Sequence, residues 1–281
     1  MNNKIITAVY TICKNELKNL KRWLYYGSFY DYRVLLDTGS TDGTWEALQE
    51  YAKQDSNLII EQKLFEPFHF ANARNYNLNM VPDHVNWCLC PDLDEFYTKN
   101  TLDELYQVLQ VHPDLTNLSC DRFDLYSYTP RVGPPNFMAF NKIHKRHDYE
   151  WFQPIYEYLR WKRSGYKKEL YSDSIYLVHD QDFDKPERAE LYIKMLVNEY
   201  ENNPTNTWCL WYLNYHYRKS LNLPKFIKTG CDYVTFELNK NNDKYKAIIE
   251  ELKNIYTHNP PELTDDDFLK IKNTLVQLHI I

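Results

Sequence analysis

The stretch Arg33-Val34-Leu35-Leu36-Asp37-Thr38-Gly39-Ser40-Thr41-Asp42-Gly43-Thr44 decides the fold class. Arg33 to Leu36 form a short, mostly apolar strand that stops at Asp37. Small and polar residues then make a turn, and Thr44 to Ala52 reads as a helix. Asp42 is placed to cap that helix by accepting from its first amides. Two of only 6 glycines, Gly39 and Gly43, fall in this turn, where the chain needs unusual backbone angles or close approach. Upstream, Lys4 to Ile12 reads as a strand, and Leu17, Leu20, Trp23 and Leu24 mark a helix by their spacing. Downstream come a third strand at Leu58 to Ile60, a helix from Phe70 to Met80, and a fourth strand from Trp87 to Pro91 that stops at Asp92. Thr101-Leu102-Asp103-Glu104 has the pattern of a capping box opening a helix with Leu105, Val108 and Leu109 on one face. Strand and helix alternating to about residue 110 predict an α/β fold with a mostly parallel, doubly wound sheet. Ligands of such sheets bind at the carboxyl ends of the strands, where Asp37 and Asp92 both fall.

Beyond Leu115 the pattern changes to aromatic-rich, β-prone segments up to Val178. These predict strands added to the sheet and a mobile loop at residues 129–136 on the acceptor side. After His179 the character changes again. Pro186 to Asn202, Thr205 to Leu221, Pro224 to Leu238 and Asp243 to Tyr256 each read as an amphipathic helix, which predicts stacked helical hairpins. The expected division is therefore 1–183 for the α/β domain and 184–281 for a C-terminal α-helical domain.

Composition narrows the function. The chain has 281 residues, with 43% hydrophobic and 26% charged, as expected of a globular protein with a sizeable core. A net charge of -6 argues against a partner bound by phosphate neutralisation, so no nucleic acid is expected. Mean hydropathy is -0.66, and no apolar run reaches the roughly 18 residues of a membrane span. The apolar stretch from Ile5 to Cys13 lacks the flanks of a signal peptide and reads as a buried strand. Six cysteines show no CxxC pair, which predicts reduced core thiols in a cytosolic compartment.

Pro91-Asp92-Leu93-Asp94-Glu95 carries the chemistry. Two carboxylates at i, i+2 where a strand gives way to a turn can bind a hard divalent cation and leave positions for diphosphate oxygens. Alone, this DxD motif could equally be a solvated acidic turn. Its context is an ordered series: Ile12-Cys13-Lys14-Asn15-Glu16, then Asp37 to Thr44, then Phe70-Ala71-Asn72-Ala73-Arg74-Asn75, then Trp87 to Glu95. In that order the motifs resemble the inverting family 2 glycosyltransferases of the GT-A fold, most closely the bacterial and viral branch with a tetratricopeptide-like helical tail.

The resemblance implies a metal-dependent transfer of a sugar from a nucleotide-diphosphate sugar, with UDP favoured, to a glycan, protein or small-molecule acceptor. It implies that Thr11, Ile12 and Glu16 line the nucleoside pocket and that Asp37 accepts a hydrogen bond from base or ribose. Arg74 would pair with phosphate oxygens or orient carboxylates. Asp92 would touch the ribose or support the metal shell, and Asp94 would ligate Mn²⁺ or Mg²⁺, with His179 completing the shell. Glu157, in Phe152-Gln153-Pro154-Ile155-Tyr156-Glu157, stands where the branch has a His-Glu element and would be the general base. Asp124, Asp148 and Glu95 compete for that role. The resemblance also places the protein in the cytoplasm of a bacterial or virus-infected cell and allows a homodimer through the helical tail.

Three rival classes remain. A sugar-nucleotidyltransferase needs a glycine-rich phosphate loop, and Ile12 to Glu16 contains no glycine. A glycosidase would use two carboxylates but has no use for the turn motifs. A non-catalytic carbohydrate- or peptide-binding protein working through its helical tail would have no reason to keep Asp37, Arg74, Asp92 and Asp94.

Overall fold

Strand β1 (Thr7–Cys13) is buried along almost its whole length on both faces. The computed structural model describes residues 5–124, 139–180, 187–237, 241–260 and 262–281. In it β1 lies between β2 (Tyr32–Asp37) and β4 (Trp87–Leu89), parallel to both, with β3 (Leu58–Gln62) parallel beyond β2. Side chains alternate across a strand, so these strands feed two cores. Val9, Leu35 and Leu89 meet Leu20 and Trp23 of α1 (Leu17–Gly27) and Leu105 of α4 (Thr101–Val111). Ala8, Tyr10, Val34 and Cys88 meet Ala71 and Leu78 of α3 (Phe70–Met80). Each large apolar side chain removed from water in this way contributes about 1.5–3 kcal/mol.

Among the described residues the sheet has eight strands in the order β3-β2-β1-β4-β7-β6-β10-β5. Its second half consists of β5 (Glu95–Tyr97), β6 (Asn117–Asp124), β7 (Ala139–Lys145) and β10 (Glu169–His179). β10 is parallel to β6, whereas β7 runs antiparallel to β4 and β6, and β5 antiparallel to β10. The expected mostly parallel sheet with flanking helices is the one observed. β8 (Tyr149–Phe152) and β9 (Tyr158–Trp161) do not join it but form a separate antiparallel pair. β8 is fastened to a helix instead: Asn75 of α3 donates to the Trp151 carbonyl (2.8 Å) and accepts from its amide (2.7 Å). The loop expected at residues 129–136 lies outside the described residues.

One helix start follows the sequence pattern and another departs from it. α2 (Thr44–Ala52) begins where expected, and Asp42 accepts from the Thr44 amide (3.0 Å) and from the Leu17 amide of α1 (3.1 Å). One carboxylate thus serves two helix N-termini. The capping box at Thr101 does not form. Thr101 is already the first helical residue because its amide bonds the Thr98 carbonyl (3.0 Å), and the Glu104 amide is taken by the Asn100 carbonyl (3.0 Å).

The chain divides into two compact units, Met1–Asp184 and Lys185–Ile281. The second consists, among its described residues, of α5 (Glu187–Asn202), α6 (Thr207–Lys219), α7 (Leu223–Phe236), α8 (Asp243–His258) and α9 (Asp265–Gln277), each packed on the next. α9 was not among the helices expected from the sequence, the last of which ended at Tyr256. In the fold Asp265, Asp266 and Asp267 sit in the first turn, where they suit the helix dipole, and Thr264 caps the Asp267 amide (3.1 Å). Asn206, Asn222 and Asn242 cap α6, α7 and α8 in the same way. All six cysteines are free and buried. No helix among the described residues is long and apolar enough to cross a membrane.

Candidate active site

The parallel strands β1, β2 and β4 deliver their carboxyl ends to one edge. There Cys13 pairs with Asp37 across the β1–β2 ladder, and the chain beyond Leu89 leads into Asp92. Thr11 is fully buried and Ile12 half-buried at the end of β1. Glu16 precedes α1, where its carboxylate accepts from the Asn19 side chain (2.8 Å) and its amide donates to the Thr44 hydroxyl (3.0 Å). Asn15, with φ 58°, accepts from the Thr41 amide (2.7 Å) and donates its own to Ser40 (2.8 Å), so the two loops are stitched together.

Asp37 is buried, and its Oδ1 accepts from the amides of Gly39 and Ser40 (2.9 Å each) and from Gln62 Nε2 (3.0 Å). Through its Oδ1 this carboxylate shapes the turn from within. Gly39 has φ +104°, and a Cβ there would run into the Leu64 side chain.

The strongest electrostatic feature is an alternating row of charges. Arg74 of α3, with its side chain only 6% exposed, donates from Nε to Glu157 Oε1 and from Nη2 to Asp92 Oδ1, both at 2.6 Å. Its Nη1 lies 3.3 Å from Cys90 Sγ, and the guanidinium stacks 4.9 Å from the Trp151 ring centroid. Lys142 of β7 donates to Asp92 Oδ2 (3.0 Å) and Glu95 Oε2 (2.5 Å). Arg122 reaches Glu95 at 3.8 Å. The six charges compensate one another.

Their protonation follows from this order. Burial opposes ionisation of Asp92, but Arg74 and Lys142 outweigh it and hold the carboxyl well below its ordinary range. Burial and the negative charge of Asp92 push Glu95 upward against the pull of Lys142. Burial alone would lower Lys142, yet Asp92 and Glu95 keep it above its usual value. Burial raises the Cys90 thiol to about 11, so it stays neutral.

Glu157 reaches Arg74 from a strained turn. Gln153 (φ 82°) and Tyr156 (φ 53°) both adopt left-handed backbone, which costs a non-glycine residue on the order of 1 kcal/mol or more. The Phe70 amide holds the Pro154 carbonyl (2.9 Å), so the start of α3 fixes the loop that presents Glu157.

A second pair lies beside this row. His179 Nε2, at the end of β10, is 3.4 Å from Asp94 Oδ2. A carboxylate oxygen and an imidazole nitrogen this close can share one divalent ion. The expected set of Asp92, Asp94 and His179 is therefore assembled only in part. Both oxygens of Asp92 are engaged by Arg74 and Lys142, which turns it toward cationic side chains. Among the described residues no group of three His, Cys, Asp or Glu side chains converges on one ion position. Asp148, a competitor for the base, pairs with Arg163 (3.0 Å) on an exposed surface.

Lys142 was missed in the sequence, although a signal exists. Ile143 faces one core, so Lys142 and His144 share the opposite face of a strand, and a lysine on an inward face calls for a carboxylate partner.

The family described as Glycosyl transferase family 2 matches residues 9–185, well over half of the chain. Among solved structures, that of S. aureus TarS 1-349 in complex with UDP-GlcNAc superimposes with a TM-score of 0.54 at 14% sequence identity, covering 97% of this chain and 92% of that one. The S. aureus TarS crystal structure gives a TM-score of 0.53 at 14% identity, covering 96% of this chain and 55% of that one. These likenesses show a shared fold. None of the curated proteins compared with the chain matches it.

Proposed function

Since the chain belongs to glycosyl transferase family 2 and is thus an enzyme that uses a nucleotide-sugar donor, we propose a metal-dependent, inverting transfer from a UDP-sugar to a hydroxyl of a glycan, protein or small-molecule acceptor. The observation that carries this reading is Arg74, which joins Asp92 to Glu157 at the carboxyl ends of the parallel strands. The acceptor hydroxyl attacks the anomeric carbon in line with the departing nucleoside diphosphate, and the configuration inverts. Glu157 takes the hydroxyl proton. Its Oε1 is held by Arg74, so Oε2 is assigned as the accepting atom. Arg74 orients the two carboxylates, because its three nitrogens are spent on Glu157, Asp92 and Cys90.

Asp94 and His179 are assigned as cation ligands. A carboxylate with an imidazole suits Mn²⁺ better than Mg²⁺. An ion held there would offset the charge gathering on the departing diphosphate. Glu16 and the backbone of Thr11 and Ile12 are assigned to the nucleoside, with Asp37 shaping the turn beside it. UDP is the first nucleotide to test because the solved protein of the same fold carries UDP-GlcNAc. Six reduced thiols fit a cytoplasmic enzyme. The two units are assigned as a GT-A catalytic domain and a helical domain that serves the acceptor or a second copy of the chain.

Calorimetric titration of UDP, GDP, TDP and CMP, with and without Mn²⁺, tests this reading. Binding of one diphosphate is expected to tighten when Mn²⁺ is present, and that gain is expected to be lost in Asp94→Asn. Binding of none of them under any condition would leave the non-catalytic alternative, a helical tail that binds carbohydrate or peptide.

A further inference from the structure

We propose that Arg22 and Asp180 are positioning residues for the Asp94–His179 pair, an inference that rests on the reading of that pair as cation ligands. Strand β10 ends at His179, and the chain beyond it is held at two points. The Asp180 amide donates to the Asp94 carbonyl (2.8 Å), and the Asp180 carboxylate forms an ion pair with Arg22 Nη1. The first contact ties the two ligand-bearing segments together through the backbone. The second anchors them to α1.

Arg22 is itself fixed from three sides. Its Nη2 donates to Asn19 Oδ1 (3.0 Å), and Asn19 Nδ2 donates to Glu16 Oε2 (2.8 Å). Its guanidinium carbon lies 5.5 Å from the centroid of the Phe96 ring, which stacks on Tyr26 at 4.2 Å. Asn19, Arg22 and Tyr26 lie three or four residues apart on α1 and therefore share one face, and Glu16 immediately precedes the helix. A continuous run of polar contacts thus joins the loop after β1 to the two proposed ligands: Glu16, Asn19, Arg22, Asp180, Asp94, His179.

Two consequences follow from the chemistry of arginine. Its planar fork serves two acceptors on different elements at once, which a lysine ammonium cannot do with the same geometry. It also compensates the charge of Asp180, a carboxylate one residue from His179 that would otherwise add to the charge of Asp94. Removing partners that orient metal ligands commonly weakens metal affinity by about 10- to 100-fold.

The test is titration of Mn²⁺ into the full chain, alone and with UDP, with free Mn²⁺ read by electron paramagnetic resonance. Asp94→Asn should abolish binding. Arg22→Gln and Asp180→Asn should each weaken it by about 10- to 100-fold, and the double variant should be no weaker than the worse single one. Arg22→Lys should recover part of the loss, and metal-free UDP affinity should stay unchanged in the Arg22 and Asp180 variants. A merely structural role would move metal-free nucleotide binding as well and would show no such rescue. If the wild type binds Mn²⁺, Asp94→Asn loses it, and Arg22→Gln and Asp180→Asn match the wild type within twofold, the positioning role is wrong. If Asp94→Asn binds like the wild type, or the wild type binds no Mn²⁺, the ligand reading fails and the inference with it. Should Arg22→Gln not fold, as judged by circular dichroism, Asp180→Asn decides the question, since that side chain is 37% exposed at a strand end.

Discussion

Arg74 shows how one side chain can organise a site without facing solvent. Its neighbours divide the work: Ala73 fills the core, Arg74 holds two carboxylates, and Asn75 clamps the backbone of β8. Such a buried arginine is stable only because both acids are present, since an unpaired buried charge is strongly unfavourable. Glu157→Gln tests the role of its partner. The amide is isosteric and can still accept from Arg74, but it cannot take a proton. Turnover, measured as release of nucleoside diphosphate from the donor, should fall by about 10²- to 10⁴-fold, while Mn²⁺-dependent nucleotide affinity stays within about twofold. A variant that retains wild-type turnover would move the base to another carboxylate, of which Glu95 is the competitor that lies in the charge row. The alanine, arginine and asparagine of this stretch were legible as a motif. Which carboxylates Arg74 would meet was not, because Asp92 and Glu157 are 65 positions apart in the chain and meet only across the sheet edge.

Elements are joined by a polar chain that also reports on pH. Trp151 Nε1 of β8 donates to the Tyr10 hydroxyl of β1 (2.7 Å), and that hydroxyl lies 2.9 Å from His144 Nε2 of β7. His144 Nδ1 lies 2.9 Å from the Lys145 carbonyl, an acceptor only, so Nδ1 carries the proton and Nε2 accepts from Tyr10. This arrangement suits only the neutral ring, and burial lowers the His144 pKa to about 4. Because the folded value lies below the unfolded one, the unfolded chain takes up the proton first. The contribution of His144 is present above the unfolded pKa and is lost as pH falls from about 6.5 to about 4, amounting to about 3 kcal/mol. Glu95 works in the opposite sense, since its raised pKa lets the folded chain hold a proton to higher pH. Urea denaturation of wild type and His144→Gln should therefore be compared as a difference. That difference should shrink by about 3 kcal/mol between pH 7 and pH 4, and a pH-independent difference would show that His144 does not titrate in this way.

At the scale of the whole molecule, the two units each close their own core. In the second, Leu196, Leu210, Leu213, Ile227, Leu252 and Leu275 are all buried. Asn206, Asn222, Asn242 and Thr264 cap its helices, each cap contributing about 1 kcal/mol. Residues 185–281 expressed alone should therefore give a helical circular dichroism spectrum and a cooperative thermal melt. A broad, non-cooperative melt would mean that this unit depends on residues 1–184 for its fold. Net charge gives no hint of such a division.

Local pattern was enough for the order of strands and helices through residue 111 apart from β5, the turn at Asp37 to Thr44, the family, and four of the five C-terminal helices described. Each of these is written locally, in hydrophobic period, turn chemistry and glycine placement. Tertiary structure alone decided that Asp92 faces Arg74 and Lys142 while Asp94 faces His179, that β8 and β9 stand apart from the main sheet, and that Thr101 lies inside α4. Those outcomes depend on contacts between segments 50 or more positions apart, such as Lys142 with Asp92, or on competition for one amide, as at Thr101. A local pattern lists the groups that can pair, and the packed sheet selects which pairs form.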